Sequence, residues 1–133
     1  MLNAVLDTNV LVSGLISAYG NPAQIINAFK EKRFNFIYND EILREYRDVL
    51  FRSKLGLNSA DVNDLIGEII KAGFSVIPEK SKISLPDEDD RIFYDTAKTA
   101  GAYLVTGNIK HYPNEPTIIT PAEFLKLIIN SEV

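Results

Sequence analysis

Short apolar runs alternate with longer amphipathic segments along the chain, and the two periods predict different elements. Apolar runs predict four buried strands at residues 4–6, 34–38, 74–77 and 103–105, and a fifth at residues 117–119. Between them, apolar residues recur with helical spacing, for example at Ile42, Leu43, Tyr46, Val49 and Leu50. Strands that alternate with helices predict a parallel sheet with helices on both faces.

Glycine, proline and capping residues predict where the helices begin and end. The first helix is expected to open at residues 10–12 and to end at Tyr19-Gly20. Asn21 is the expected cap of the second helix, with Pro22 at its first position. Asn39 or Asp40 is expected to cap the third helix. The final helix, residues 124–129, follows a capping box in the sequence Thr120-Pro121-Ala122-Glu123.

The composition is that of one ordinary globular domain, and it excludes several kinds of site. The chain has 133 residues, 46% hydrophobic and 24% charged, so a single domain over residues 1–133 with a sizeable core is expected. Cysteine is absent and His111 is the only histidine, which excludes disulfides, cysteine-ligated metals and two-histidine metal motifs. Short apolar runs and a start without a basic signal region predict a cytoplasmic protein without a membrane span.

The net charge of −4 argues against tight non-specific binding to nucleic acid, because such binders usually have a basic surface. It argues less strongly against a nuclease. The clustered carboxylates of a metal site contribute negative charge that the bound cation offsets.

Polar residues follow the predicted strands where a parallel sheet gathers its ligands. Asp7 comes directly after the first strand, and Glu45 lies on the helix after the second. The acidic run 87–90 precedes the fourth strand, and Thr106-Gly107-Asn108 follows it. Three carboxylates that converge at one edge repel each other unless a cation joins them. Hard oxygen ligands suit Mg²⁺ or Mn²⁺, so the arrangement predicts such a site.

Each of these residues also has a purely structural interpretation. Asp7 or Asn9 can cap the helix that follows the first strand. Glu45 can be an ordinary exposed glutamate, and acids at 87–90 suit a helix N-terminus, where the helix dipole favours negative charge. Asn108 is a common turn residue. The order of the acids along the chain is therefore more informative than any one of them.

Four segments of the chain resemble PIN domains. They are residues 6–10 around Asp7, residues 40–46 with Glu45, residues 85–93 and residues 100–108. The chain is most similar to the VapC-related toxins of bacterial and archaeal toxin–antitoxin systems, over nearly its whole length. The resemblance implies a three-layer α/β/α PIN-like fold with a central parallel sheet of about four to five strands.

The resemblance also implies roles for individual residues. Asp7, Glu45 and Asp90 match the three central acids, as catalytic residues and metal ligands. Asp87 matches a further acid of this subgroup. Asn108 stands where many relatives carry aspartate, which weakens a second metal site. Supporting polar positions are matched by Thr8, Asn9 and Thr106.

The function implied by the resemblance is metal-dependent cleavage of single-stranded or looped RNA, with Mg²⁺ or Mn²⁺ as cofactor. Arg91, Lys110 and His111 are near enough in sequence to contact phosphates, although surface cations are often only solvated. A toxin also implies an antitoxin that blocks the site, and a homodimer. The apolar residues of helix 60–72 can serve that dimer or belong to the core.

Three alternatives compete with the ribonuclease. A phosphatase of the haloacid dehalogenase type needs a second aspartate two residues after Asp7, where Asn9 stands. A receiver domain needs an aspartate after a central strand, and none follows Val76-Ile77. The remaining alternative is a PIN fold with weak turnover that binds protein partners. Asn108 and the acidic composition favour it, and the three central acids together argue against it.

Overall fold

The computed structural model describes residues 1–131 and has a five-stranded parallel sheet at its centre, in the order β3-β2-β1-β4-β5. The strands are β1 (Asn3–Leu6), β2 (Asn35–Tyr38), β3 (Phe74–Ser75), β4 (Tyr103–Val105) and β5 (Ile118–Ile119). The α-helices within residues 1–131 are α1 (Thr8–Ile16), α2 (Asn21–Lys30), α3 (Asp40–Leu50), α4 (Ser59–Ala72), α5 (Arg91–Ala100) and α6 (Pro121–Ser131). The predicted α/β fold is confirmed.

The ends of β1 and β4 lie at the point where the order of strands in the sheet changes direction. From β1 the chain continues to β2 and β3 on one side, and then returns to β4 and β5 on the other. All neighbouring strands are parallel, so their carboxyl ends lie along one edge. Leu6 pairs with Val105, which brings the residues after β1 and β4 together. Ligand crevices form at such a switch point.

The core lies between the sheet and the helices. Ala4, Val5 and Leu6 of β1 are completely buried, as a central strand of a covered parallel sheet should be. Aromatic rings join the layers: Tyr46 of α3 contacts Phe36 of β2 and Phe93 of α5, with ring centroids 6.3 and 6.2 Å apart. These contacts fix the orientation of α3 and α5 over the sheet.

Three predicted helix boundaries were wrong. The first helix begins at Thr8, not at residues 10–12, and it ends at Ile16, before Tyr19-Gly20. Gly20, not Asn21, occupies the N-cap position of α2, and no side chain caps that helix. The close approach of α1 and α2 explains the use of Gly14 within α1, because a Cβ there would lie 2.5 Å from Cδ1 of Ile26.

Other boundaries are confirmed, with shorter strands at the edges. Asn39 caps α3 by accepting the N–H of Ile42. Thr120 and Glu123 form the predicted capping box. Strands β3 and β5 are two residues long, whereas residues 74–77 and 117–119 were predicted.

Helix α4 packs its apolar residues into the core of its own chain. The buried residues are Val62, Leu65, Ile66 and Ile69. This favours the core interpretation for these four residues over the dimer interpretation, while Ile70 stays partly exposed. No helix within residues 1–131 is long and apolar enough to cross a membrane.

Candidate active site at the switch point of the sheet

Asp7 leaves β1 with its side chain turned away from the helix that follows. It occupies the N-cap position of α1 but makes no side-chain capping hydrogen bond. Instead, the hydroxyls of Thr106 and Tyr112 each donate to its Oδ2, both at 2.9 Å. The residue is only 6% exposed. The capping interpretation is therefore rejected for Asp7, and neither hydrogen bond occupies Oδ1.

The loops after β1 and β4 hold each other in place. Oγ1 of Thr106 accepts the N–H of Asn108 at 3.0 Å, and Oδ1 of Asn9 accepts the N–H of Gly107 at 3.1 Å. Asn9 thus supports the neighbouring loop instead of capping α1. Thr8 is buried, and its Oγ1 has no hydrogen-bond partner within residues 1–131. Thr106 thus bonds to Asp7 directly, and Asn9 holds the loop that carries Thr106.

Asp90 is the second acid at the crevice that opens beside Asp7, at the carboxyl ends of β1 and β4. It ends a short 3₁₀ helix (Glu88–Asp90) and makes no side-chain cap for α5. Its Oδ2 is buried without a hydrogen bond, although Nδ1 of His111 lies 3.3 Å away, at ion-pair distance. Burial, and then the negative charges of Asp7 and Asp87, raise the pKa of Asp90 to about 6. The charges of Asp7 and Asp90 therefore act on each other.

Glu45 approaches the same crevice from α3. Its side chain is half-buried. Burial and the charge of Asp48 are the largest causes of its raised pKa, and Asp7 also contributes. The neighbouring Tyr46 donates its hydroxyl to the carbonyl of Leu6 at 2.5 Å, which fastens α3 to the end of β1. Helical spacing alone predicted this position for Glu45 at the edge of the apolar face.

Asp87, Asn108 and Lys110 lie at the margin of the crevice and are exposed. Asp87 accepts the N–H of Asp89 at 2.9 Å, so its capping interpretation holds, while its charge still acts on Asp90. Lys110 makes no ion pair with any residue in the range 1–131. Asn108 is held through its backbone N–H. Its side-chain amide makes no hydrogen bond within the described part of the chain.

The structure places Arg91 in a different role from the expected phosphate contact. Its guanidinium donates to Glu88 at 2.6 Å, to the hydroxyl of Ser81 at 2.6 Å and to the carbonyl of Ile83. Its side chain is only 15% exposed. Arg91 therefore fastens the loop before α5 to that helix. Its donors are engaged by the protein itself.

Sequence reasoning missed two residues at or beside the site. Tyr112 is buried and bonded to Asp7. The sequence feature that could have indicated it is a large aromatic residue within a polar turn at the ligand edge of the sheet. Asp95 is buried four residues after Arg91, a spacing typical of a helical ion pair. The Nη1 of Arg91 lies 3.9 Å from its Oδ1, which has no hydrogen-bond partner within residues 1–131.

A groove of about 770 Å³ opens beside the crevice, between α3 and the segment that leads into α5. Glu45 and Asp89 line it near the site, and Asp95 lies in its wall. Acidic side chains outnumber basic ones along the groove. Arg44 and Lys80 also line it, and neither is in an ion pair with another described residue. The groove therefore presents two cations that are available to a ligand.

The residues of the crevice fit a divalent cation in charge and in type of donor. Asp7, Asp90 and Glu45 supply the hard oxygens that Mg²⁺ and Mn²⁺ prefer, and their mutual repulsion is relieved by positive charge. A buried oxygen of Asp90 that lacks a donor also suits a cation. Within residues 1–131, no set of three acidic or imidazole side chains is already arranged as the ligands of one ion.

Comparisons with known proteins bear on the family and the fold of the chain. The PIN domain family matches residues 3–110, which include Asp7, Glu45 and Asp90. The uncharacterized protein MJ1680 of Methanocaldococcus jannaschii is 31% identical over 112 residues, or 80% of this chain and 71% of that protein. The crystal structure of PAE2754 from Pyrobaculum aerophilum is similar with a TM-score of 0.62 at 12% identity, covering 97% of this chain and 90% of that one. At so low an identity, the structural likeness supports the fold.

Proposed function

Because the chain belongs to the PIN-domain family, we propose that it is an Mg²⁺- or Mn²⁺-dependent endoribonuclease. PIN domains are generally nucleases. The observation that carries the proposal is the side chain of Asp7, which is buried at the switch point and, within residues 1–131, accepts hydrogen bonds on Oδ2 alone. Asp90 and Glu45 lie close enough for the charge of Asp7 to raise the pKa of each.

The proposed mechanism assigns the three acids to cation binding. Asp7, Glu45 and Asp90 hold the cation, and Thr106 and Asn9 keep the loops around Asp7 in register. When bound, Mg²⁺ or Mn²⁺ supplies positive charge that polarises a phosphodiester and acidifies water. Asn108 at the margin brings no charge of its own, which favours one cation over two. His111 is half-exposed beside Asp90 and can donate to a phosphate oxygen.

The proposed substrate is single-stranded or looped RNA, bound along the groove beside α3. Arg44 and Lys80 are the cations of that groove without an acidic partner in the described part of the chain, so we assign them to phosphates. Lys110, exposed near the crevice, is a further candidate. Arg91 holds the wall of the groove in place and acts on the substrate only indirectly.

The biological role that we propose is that of a toxin in a toxin–antitoxin system. A small antitoxin protein would bind over the crevice and block it, and the toxin would form a homodimer. The proposal rests on the resemblance of residues 6–10, 40–46, 85–93 and 100–108 to VapC-related toxins. The test is co-purification with the product of an adjacent gene, followed by inhibition of cleavage with that product.

The test of the biochemical proposal is cleavage of matched RNA and DNA oligonucleotides with Mg²⁺, Mn²⁺ or EDTA. We expect RNA to be cut with either cation and to stay intact with EDTA, and we expect DNA to be cut poorly. Cleavage that continues in EDTA would contradict the role of the acids. An absence of cleavage of both substrates, with Mn²⁺ bound, would favour the alternative of a protein-binding PIN fold with weak turnover.

A further inference from the structure

We infer that Tyr112 is a positioning residue that holds Asp7 in place for cation binding; the inference rests on the proposed function. The hydroxyl of Tyr112 donates to Oδ2 of Asp7 at 2.9 Å. Thr106 donates to the same oxygen at the same distance. Two donors from different elements therefore fix one oxygen of the carboxylate and leave the other to a ligand.

Tyr112 is built into the site and does not merely fill the core beside it. It follows a short 3₁₀ helix (Ile109–His111), so one turn carries both Tyr112 and the imidazole beside Asp90. The residue is only 6% exposed. Burial and the charge of Asp7 raise the pKa of Tyr112, so its hydroxyl stays protonated and remains a donor.

The other buried tyrosine near Asp7 cannot replace Tyr112. The hydroxyl of Tyr46 donates to the carbonyl of Leu6 and is therefore already engaged with the backbone. Within residues 1–131, Thr106 and Tyr112 are the side chains that donate to Asp7. Removal of the Tyr112 hydroxyl leaves a single donor, about which the carboxylate can turn.

Loss of that donor should weaken cation binding more than it weakens the fold. Metal-ligating carboxylates are themselves hydrogen-bonded, and removal of such an outer partner typically costs about tenfold to 100-fold in metal affinity or activity. Tyr112→Phe keeps the ring and its packing and removes only the hydroxyl. The proposed RNA contacts, Arg44 and Lys80, lie in the groove, so RNA affinity at saturating Mn²⁺ should change little.

The chain offers a matched control in Tyr94→Phe. Tyr94 is also buried, and its hydroxyl donates to a carboxylate, Oε2 of Glu115, at 2.6 Å. It lies on α5 and makes no contact with Asp7. Both variants thus lose one hydroxyl from a buried tyrosine bonded to an acid, and only one of those acids belongs to the crevice.

The experiment measures the Kd of Mn²⁺ by calorimetry for the full chain, and kcat and KM for RNA cleavage. For Tyr112→Phe we expect the Kd of Mn²⁺ to rise roughly tenfold or more, and kcat at limiting Mn²⁺ to fall by a similar factor. At saturating Mn²⁺, KM for RNA should stay within about twofold of wild type. Tyr94→Phe should match wild type in all three. In an Asp7→Asn background, Tyr112→Phe should have no further effect on Mn²⁺ binding.

Several results would overturn the inference. These are an unchanged Kd for Mn²⁺ in Tyr112→Phe, an equal loss of Mn²⁺ affinity in Tyr94→Phe, and a wild-type protein that binds no Mn²⁺. Failure of the ribonuclease proposal can be distinguished from failure of the inference about Tyr112. If wild type binds Mn²⁺ but cuts no RNA, the proposed function fails, and the Kd values of the two variants still decide the role of Tyr112.

Discussion

Asp7 and Asp90 belong to one crevice but have opposite surroundings. Asp7 accepts two hydrogen bonds on one oxygen. Oδ2 of Asp90 is buried and accepts no hydrogen bond within residues 1–131, although Nδ1 of His111 lies 3.3 Å away. Burial and the charges of Asp7 and Asp87 raise the pKa of Asp90 to about 6. We therefore expect ionised Asp90 to destabilise the metal-free fold and a cation at the crevice to offset that cost.

Asp90→Asn should stabilise the metal-free protein at pH 7. The pKa of Asp90 is raised from 3.8 to about 6 on folding, so between these values the folded chain keeps a proton that the unfolded chain releases. Stability then falls as pH rises through this window, and the loss is complete above about 6. We expect urea unfolding in EDTA to show the variant more stable at pH 7 by up to about 3 kcal/mol, and the difference to vanish near pH 4.

Added Mn²⁺ provides the control for this prediction. Wild type should gain stability with Mn²⁺, while the variant, which lacks one ligand, should gain less. A variant that is less stable than wild type at pH 7 in EDTA would show that Asp90 contributes a favourable contact instead of a repulsive charge.

At the scale of single residues, the sequence located acids better than it located their partners. Asp7 follows a buried strand, and that position alone places it at the ligand edge. The bond from Tyr112 joins residues 105 positions apart, and no local period reports such a contact. For Arg91, charge and proximity to the site suggested a phosphate contact, whereas its partners, Ser81 and Ile83, lie in an irregular loop without a pattern to predict them.

At the scale of elements, Asn39 joins the parts that carry two of the acids. Its Oδ1 accepts the N–H of Ile42 at 3.0 Å and so starts α3, the helix of Glu45. Its amide nitrogen donates to Oγ1 of Thr96 on α5 at 2.8 Å and to the carbonyl of Val76 at 3.2 Å. One buried side chain therefore ties α3 to α5 at the end of β2.

Asn39→Ala should cost more stability than an ordinary helix cap. It removes the cap and leaves the buried hydroxyl of Thr96 and the partly buried carbonyl of Val76 without this donor, so we expect a loss of about 2 kcal/mol or more. The control is Asn58→Ala, an exposed cap of α4 that accepts the N–H groups of Ala60 and Asp61. That control should cost about 1 kcal/mol. Urea unfolding measures the stability of both variants. Equal losses of stability would show that the bonds from Asn39 to Thr96 and Val76 add nothing to its effect as a helix cap.

Helices and central strands were predictable, whereas edges and helix packing were not. The capping box at Thr120 and the end of α5 at Gly101, which has a φ of 62°, follow from local chemistry. The length of β3 depends on pairing with β2 alone, since β3 lies at the edge of the sheet. Gly14 was expected only to weaken α1, but its role depends on the close approach of Ile26 from another helix.

At the scale of the whole molecule, a chain of net charge −4 has to bind a polyanion. We assign the attraction to the bound cation and to Arg44 and Lys80 of the groove, which form no ion pair with another described residue. Affinity for RNA should therefore be modest, dependent on the divalent cation, and sensitive to few basic residues.

Arg44→Ala should weaken RNA binding, while Arg47→Ala should not. Both are exposed arginines of α3, but only Arg44 lines the groove. For Arg44→Ala we expect KM for RNA to rise roughly threefold to tenfold with kcat retained, and the salt dependence of binding to lose about one phosphate contact. Fluorescence anisotropy with a labelled oligonucleotide over a salt series gives the slope. Equal changes of KM and of salt dependence in the two variants would show that RNA does not bind along the groove.

The central claim is that Asp7 serves a cation-dependent ribonuclease site, and one comparison tests it most directly. Wild type, Asp7→Asn and the control Asp64→Asn, an exposed acid of α4, are incubated with a pool of structured and unstructured RNAs in Mn²⁺. We expect wild type and Asp64→Asn to cut the pool, and folded Asp7→Asn to be slower by about 100-fold or more. Undiminished cleavage by Asp7→Asn would contradict the claim.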